Sequence, residues 1–252
     1  LKHHGLAQKS AYLLTVARVG TLVMLMPGIG EQLINARARL AFALLLALVL
    51  FPFTRTLLPP FTTPQAMVGL LFGEIAVGLI LGLSVRMVMA ALQTAGSVIA
   101  QNMGLSFAMS VDPSMGGQQA AIGNLLTLLG ITLIFTSDLH HVAIVGIRDS
   151  YALLPPEGLP PSGDAAALII KAVARGFSLA VQIAAPFIVF GILFNLGLGV
   201  LSRLMPQMQV FFVAMPVTIG VGFLILLLVI SVMMSHYLGS LEGVLGEIAV
   251  NR

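Results

Sequence analysis

The side chains that could do chemistry in this chain are few and widely separated. His140 and His141 are adjacent, and Asp112 and Asp138 are the aspartates that lie in strongly apolar surroundings. Adjacent side chains on a helix point about 100° apart, which disfavours joint metal ligation. The sequence has no zinc-protease, nucleophile-elbow, phosphate-loop or paired-aspartate motif. We therefore expect no enzyme activity, no cofactor and no metal site.

Three further charged residues lie inside apolar stretches. Glu74 and Arg86 belong to one long run but stand twelve positions apart, whereas helical neighbours are about three or four positions apart. Arg18 is also enclosed by apolar residues, and contact with lipid would be costly for it. We expect Arg18 to face protein or to reach the membrane surface. Glu74 and Arg86 are expected to find partners on other elements or at an interface, and a direct role in transport is the alternative.

The composition is that of a membrane protein. The chain has 252 residues, of which 58% are hydrophobic and 8% charged, and the mean hydropathy is +1.06. Soluble domains carry about a quarter of their residues as charged side chains. The net charge of +3 rests on few residues and indicates no nucleic-acid partner, and the absence of cysteine excludes disulfides and thiolate metal sites.

The hydropathy pattern predicts an all-α membrane protein of about six interrupted helices. The expected helices are Leu6–Met26, Leu40–Phe53, Gln65–Ala100, Leu125–Ile147, Ala165–Arg203 and Val210–Leu238. The second is too short for a full span, so it either extends back through Arg37 and Arg39 or is buried in protein. Pro186 is expected to kink or interrupt the fifth helix. In the third, glycines at positions 69, 73, 78 and 82 form small-xxx-small patterns that predict close helix packing.

The segment Ala91–Gly123 is the most unusual part of the chain. From Met103 onward it has four glycines, at positions 104, 116, 117 and 123, and methionines recur at Met103, Met109 and Met115. Non-helical backbone at membrane depth requires surrounding protein or a water-filled cavity. The pattern indicates a moving or sealing element inside a channel, and a plain linker whose methionines pack on neighbouring helices is the alternative.

Three stretches of this sequence carry distinctive motifs. The first runs from Met26-Pro27 through Arg37 and Arg39 to Pro52. The second comprises Leu92-Gln-Thr-Ala-Gly96, Met103-Gly-Leu-Ser-Phe-Ala108 and Asp112-Pro113. The third is Asn195-Leu-Gly-Leu-Gly-Val-Leu-Ser-Arg203 with Met205-Pro-Gln207 and the run from Phe211 to Gly220. Together these stretches resemble the FliR family of bacterial flagellar type III secretion export-gate proteins. Virulence-type relatives usually carry an Arg-Gly pair where Asn102-Met103 stands here.

The resemblance implies a single domain of helical hairpins, similar to FliP over about residues 1–160 and to FliQ over about residues 161–252. It also implies a role as the chain that completes a ring of FliP-like and FliQ-like membrane proteins. FlhB-like and FlhA-like export proteins would be further partners, unfolded flagellar proteins the substrates, and the bacterial inner membrane at the flagellar basal body the location. The loop that corresponds to Met103–Gln119 would project into the protein-conducting pore as a plug.

This interpretation assigns roles to individual residues. The expected sealing side chains are flexible or apolar: Met103, Phe107, Met109, Val111 and Met115. The expected hinges are Gly104, Gly116 and Gly117, with Asp112-Pro113 as a fixed turn. Glu74, Arg86 and Arg203 are expected as buried charges at subunit contacts. Two alternatives remain open at this point, a secondary transporter of small solutes and a purely structural subunit that closes the ring.

Overall fold

The computed structural model describes residues 2–30, 34–59, 63–105, 117–156, 158, 162–204 and 210–249. Within these ranges every regular element is an α-helix, as predicted for an all-α membrane protein. The helices are α1 (Lys2–Leu25), α2 (Ala36–Thr54), α3 (Pro64–Asn102), α4 (Gly117–Thr136), α5 (Leu139–Leu153), α6 (Ser162–Leu204) and α7 (Val210–Ile248).

Helix α2 is longer than the apolar run from which it was predicted. Asn35 caps its start, since the Asn35 side chain accepts a hydrogen bond from the backbone N–H of Arg37 at 3.0 Å. The helix therefore extends back through Arg37 and Arg39 and reaches 19 residues. Of the two predicted alternatives the extension is confirmed, because α2 begins at Ala36. Most of α2 is exposed in the chain.

The glycines of α3 bring backbones together, as the small-xxx-small patterns predict. A side chain at Gly73 would collide with the backbone of Gly158, and one at Gly78 would collide with Thr21 and with the carbonyl oxygen of Arg18. A side chain at Gly82 would collide with the side chain of Leu25. At Gly69 no close approach is observed among the described residues, because nothing lies within 4 Å of the position that a Cβ would take.

A break at Ser137-Asp138 separates α4 from α5, where a continuous helix was predicted. Asp138 has φ 58°, in the left-handed region. Aspartate enters this conformation more readily than most residues, because its short polar side chain can bond locally. The hydropathy pattern could not reveal this break, since apolar residues continue on both sides of it.

Helices α6 and α7 run without a break through Pro186 and Pro216. The interruption predicted near Pro186 as one of two outcomes is therefore not observed. A proline removes one backbone donor from a helix, but continuous apolar packing on both sides can maintain the helical path. The two helices are 43 and 39 residues long.

In the part of the chain that the structure describes, four helices are long and apolar enough to cross a membrane, with a fifth if α4 and α5 count as one broken span. The four are α2, α3, α6 and α7, over the ranges Ala36–Thr54, Gln65–Asn102, Ala165–Leu204 and Ala214–Ile248. In the most apolar 18-residue stretch of each helix, only 17% of α2 and 28% of α7 are buried inside the chain. Large apolar surfaces are thus left for lipid or partner proteins.

The chain divides into two compact units. The first unit comprises Leu1–Val88, Ile134–Arg175 and Leu241–Arg252, and the second comprises Met89–Leu133 and Gly176–Ser240. The boundaries fall within α3, α4, α6 and α7. The predicted likeness of residues 1–160 to FliP and of residues 161–252 to FliQ concerns other proteins and stays a prediction.

Candidate functional site

The end of α3 leads directly into the glycine- and methionine-rich segment. Gly104 has φ +77°, and its N–H donates to the carbonyl oxygen of Gln101 at 3.1 Å. The N–H of Leu105 donates to the carbonyl oxygen of Ala100 at 3.0 Å. These two bonds and the left-handed glycine form a Schellman motif, which ends a helix and satisfies its last carbonyl groups. Gly104 therefore terminates α3, and its predicted role as a hinge stays a prediction.

Met103 is fully buried within the second unit. Its side chain fills the space above Gly222 of α7, where an added Cβ would lie only 2.5 Å from Met103 Cγ. Sequence reasoning predicts a sealing role for this side chain, and the observed packing gives it a contact with α7. The sealing role of Met103 stays a prediction.

The neighbouring residue Asn102 contacts a different helix. Its Nδ2 donates to the carbonyl oxygen of Val98 at 2.8 Å, and its Oδ1 lies over Gly191 of α6. Gly191 has no room for a side chain, since a Cβ there would overlap Asn102. The last turn of α3 is thus held on two helices of the second unit by two adjacent side chains.

The other predicted plug residues fall almost entirely beyond the structural description. Phe107, Met109, Val111 and Met115, the turn Asp112-Pro113 and Gly116 lie outside the described residues, so their roles stay predictions. Gly117 is the first residue of α4. The described helices therefore bracket the segment 106–116 with a capped helix end on one side and a helix start on the other.

A second polar site lies inside the first unit, around Arg18 of α1. Arg18 is 0% exposed, and its Nε and Nη2 donate to the two carboxylate oxygens of Glu74 at 2.6 and 2.9 Å. Its Nη1 donates to the carbonyl oxygen of Ser150 at 3.0 Å, and its guanidinium carbon lies 4.1 Å from the centre of the Tyr151 ring. We call these four residues the Arg18 cluster. It joins α1, α3 and α5 through charge-assisted hydrogen bonds and a cation–π contact.

The family of the chain follows from its match to a model of related sequences. The model described as bacterial export proteins, family 1, matches residues 10–244. The chain belongs to this family. The Arg18 cluster and the helix end that precedes the segment 106–116 both lie within the matched range.

Curated members of the export family align with the chain over most of their length. The flagellar biosynthetic protein FliR of Caulobacter vibrioides is 46% identical over 86% of this chain and 87% of its own. The protein of the same name from Bacillus subtilis is 33% identical over 88% and 86%. The surface presentation of antigens protein SpaR of Salmonella typhimurium is 28% identical over 91% and 85%. The resemblance to FliR inferred from sequence motifs is thereby confirmed.

The three charges predicted at subunit contacts of this export protein differ in their surroundings. Glu74 is 2% exposed and has its partner, Arg18, in the same chain. Arg86 is half-buried, and Arg203 is exposed near the end of α6, so burial of Arg203 is not observed in the chain alone. Contact of the three residues with other subunits stays a prediction.

Sequence reasoning did not find the pairing of Arg18 with Glu74. Both residues stand out as charges in apolar helices, and their opposite signs were the available signal. They are 56 positions apart, and the Ser150 carbonyl is 132 positions from Arg18. Local periodicity carries no information on contacts at such distances, which is why the partner of each charge remained open.

Among the described residues, one group of side chains could hold a metal ion. It consists of Asp138, His140 and His141, whose ligand atoms lie within 4.8 Å of one another. The side chains of Asp138 and His141 are 78% and 68% exposed. The distance from His141 Nδ1 to Asp138 Oδ1 is 3.4 Å. Asp138 and His141 are three positions apart, a spacing at which side chains are also neighbours on a continuous helix. The expectation of no metal site stays a prediction.

Proposed function

We propose that this export protein is a subunit of the flagellar type III protein export gate. It completes a ring of FliP-like and FliQ-like membrane proteins, lines the pore and seals it while unfolded flagellar proteins are exported. The observation that carries the proposal is the family match over residues 10–244, with relatives named as flagellar biosynthetic proteins. FlhB-like and FlhA-like proteins are further partners, and the location is the bacterial inner membrane at the basal body.

The large apolar surfaces of the helices support a subunit that functions in an assembly. Exposed leucine, valine, isoleucine and phenylalanine side chains occur along α2, α6 and α7, including Leu45, Val49, Phe177, Leu193 and Leu227. Lipid covers such surfaces in a monomer, whereas neighbouring membrane helices cover them in a ring. A ring also provides the protein surroundings that non-helical backbone needs at membrane depth.

The segment 106–116 is the proposed plug, with Phe107, Met109, Val111 and Met115 as its sealing side chains. Flexible thioethers adapt to many sequences, so a methionine-rich seal closes around unrelated substrates without selecting among them. The capped end of α3 supports this role, because it stops the helix immediately before the segment. Gly116 and Gly117 are the proposed hinges on the far side.

Co-purification tests the assembly. A tag on this chain is expected to recover two different small membrane proteins, FliP-like and FliQ-like, in a defined complex. Recovery as a monomer or a small homo-oligomer would contradict the proposal and favour the secondary transporter. The tagged chain is expressed together with the FliP-like and FliQ-like proteins of the same organism, so that the assembly can form during insertion.

Conductance of the assembled gate tests the plug. Residues 106–116 are replaced by a glycine–serine linker of equal length, and ion conductance is measured across a planar bilayer. We expect a clear rise relative to the wild-type gate. The control replaces residues 56–62, between α2 and α3, by a similar linker and is expected to remain tight. A tight membrane with the plug linker, in a complex that assembles normally, would leave only the structural role.

A further inference from the structure

The last turn of α3 makes two contacts of the same kind. Each joins a side chain of α3 to a glycine of another helix in the second unit, Asn102 to Gly191 and Met103 to Gly222. Neither glycine has space for a methyl group. A glycine at such a place lets the facing side chain approach the helix backbone directly, so the two helices lie closer than larger residues would allow.

The Met103 contact is the more deeply buried of the two. Met103 is 0% exposed, and a Cβ on Gly222 would lie 2.5, 2.9 and 3.2 Å from Met103 Cγ, Cε and Cβ. The next residue, Gly104, ends the helix, and its Cβ position is 3.9 Å from Thr218 of α7. The helix end is therefore held in place by packing at the residue directly before its cap.

Among the described residues, other glycines on the same helices make no such contact. Nothing lies within 4 Å of the Cβ positions of Gly220 on α7 or of Gly197 and Gly199 on α6. The contacts at Gly191 and Gly222 are consequently specific to the two positions that face the end of α3. The unoccupied glycines provide matched controls on the same elements.

We propose that Asn102 and Met103 form an anchor that fixes where the segment 106–116 leaves α3. The inference rests on the proposed plug function and assigns Met103 a positioning role in place of a sealing one. The anchor stays in place in both the closed and the open gate.

Cross-linking tests the position of the anchor without reference to conductance. The natural chain has no cysteine, so Met103→Cys with Gly222→Cys creates a single possible disulfide in this chain. A Cβ at position 222 would lie 3.2 Å from the Cβ of residue 103. This distance is slightly below the range of about 3.5–4.5 Å between the Cβ atoms of disulfide-bonded cysteines. We expect efficient cross-linking on oxidation in the assembled gate. Met103→Cys with Gly220→Cys is the control and is expected to remain reduced.

The cross-linked gate also tests whether the anchor is fixed. We expect the oxidised pair to export substrate at the rate of its reduced form, because the anchor does not move. Loss of export on oxidation that reduction restores would show that the anchor must release, and this would overturn the proposal. Failure of the pair to cross-link in an assembled gate would overturn it as well.

Conductance then tests the positioning role. Gly222→Ala and Gly191→Ala displace Met103 and Asn102, and we expect each to raise conductance toward that of the gate with the plug linker. Gly220→Ala and Gly197→Ala are expected to leave conductance unchanged. In the double variant, Met103→Ala removes the overlap with Gly222→Ala but also removes the Met103 side chain, so we expect the raised conductance to persist.

The outcomes separate the two proposals. If the plug linker raises conductance and Gly222→Ala matches Gly220→Ala in an assembled complex, the anchor is wrong and the plug stands. If the plug linker leaves conductance unchanged, the plug itself is wrong. In that case cross-linking still reports on the packing of Met103 against Gly222. The proposed positioning role of Met103 is then wrong as well, because there is no plug for Met103 to position.

Discussion

The Arg18 cluster in the first unit and the glycine contacts in the second hold helices together by different means. The cluster uses directed hydrogen bonds from a fully buried guanidinium to a carboxylate and a carbonyl. In the second unit the helices are held by close steric packing. A neighbouring backbone or side chain lies directly against the glycines at positions 96, 191 and 222. The difference lies in what a substitution leaves behind. In the cluster it leaves an unpaired charge, whereas in the glycine contacts it leaves a steric overlap.

The largest effect is expected in the cluster. Glu74→Ala strands the buried Arg18 charge, and we expect a loss of about 3–5 kcal/mol in the free energy of unfolding, since removal of one partner of a buried pair has this consequence. Unfolding of the purified protein in detergent provides the measurement. Glu242→Ala, at an exposed carboxylate on α7, is the control. Equal stability of the two variants would contradict the structural role of the cluster.

The glycine contacts are expected to respond less strongly. A Cβ on Gly96 of α3 would overlap the backbone of Gly123 of α4. We expect Gly96→Ala to lower stability by roughly 1–3 kcal/mol, the usual range for overpacking. Gly197→Ala, in open space on α6, is expected to raise stability by up to about 1 kcal/mol, because alanine favours helix. The same sign for both variants would show that shape does not control this packing.

A smaller effect within the cluster separates its ring contact from its ion pair. Tyr151→Leu removes the aromatic face that lies 4.1 Å from the Arg18 guanidinium, and Tyr151→Phe keeps it. We expect the leucine variant to be less stable than the phenylalanine variant by about 0.5–2 kcal/mol. Thermal unfolding of the two variants provides the comparison. If phenylalanine is the less stable of the two, the ring does not act through the cation.

The smallest effect is expected for an exposed ion pair in the first unit. Arg175 Nη2 lies 2.6 Å from Glu247 Oε1, with Lys171 Nζ at 3.7 Å, and the Glu247 side chain is 52% exposed. Water screens this pair, so Glu247→Gln is expected to cost at most about 1 kcal/mol. High salt should reduce even this difference. A loss comparable to that of Glu74→Ala would show that burial does not distinguish the two ion pairs.

Much of the site could be predicted from its residue types. The glycines of α3 and the charges in apolar helices are visible as local patterns. Gly104 is predicted from its type as a hinge, and the structure shows it as the glycine that ends α3. The function of Met103 was less accessible, because methionine suits a seal and a packed core equally well. Its position above Gly222 depends on a helix more than a hundred residues later in the chain, so local pattern could not reveal this contact. The sealing role of Met103 stays a prediction.

The sequence by itself determined the membrane class, the helical content and the family resemblance. These follow from hydropathy, helix periodicity and short motifs, which are properties of neighbouring residues. The tertiary structure alone decided that Arg18 pairs with Glu74, that Asn102 and Met103 contact α6 and α7, and that α4 and α5 separate at Asp138. Each of the three is set by packing between distant segments or by one backbone conformation, for which local pattern carries no signal.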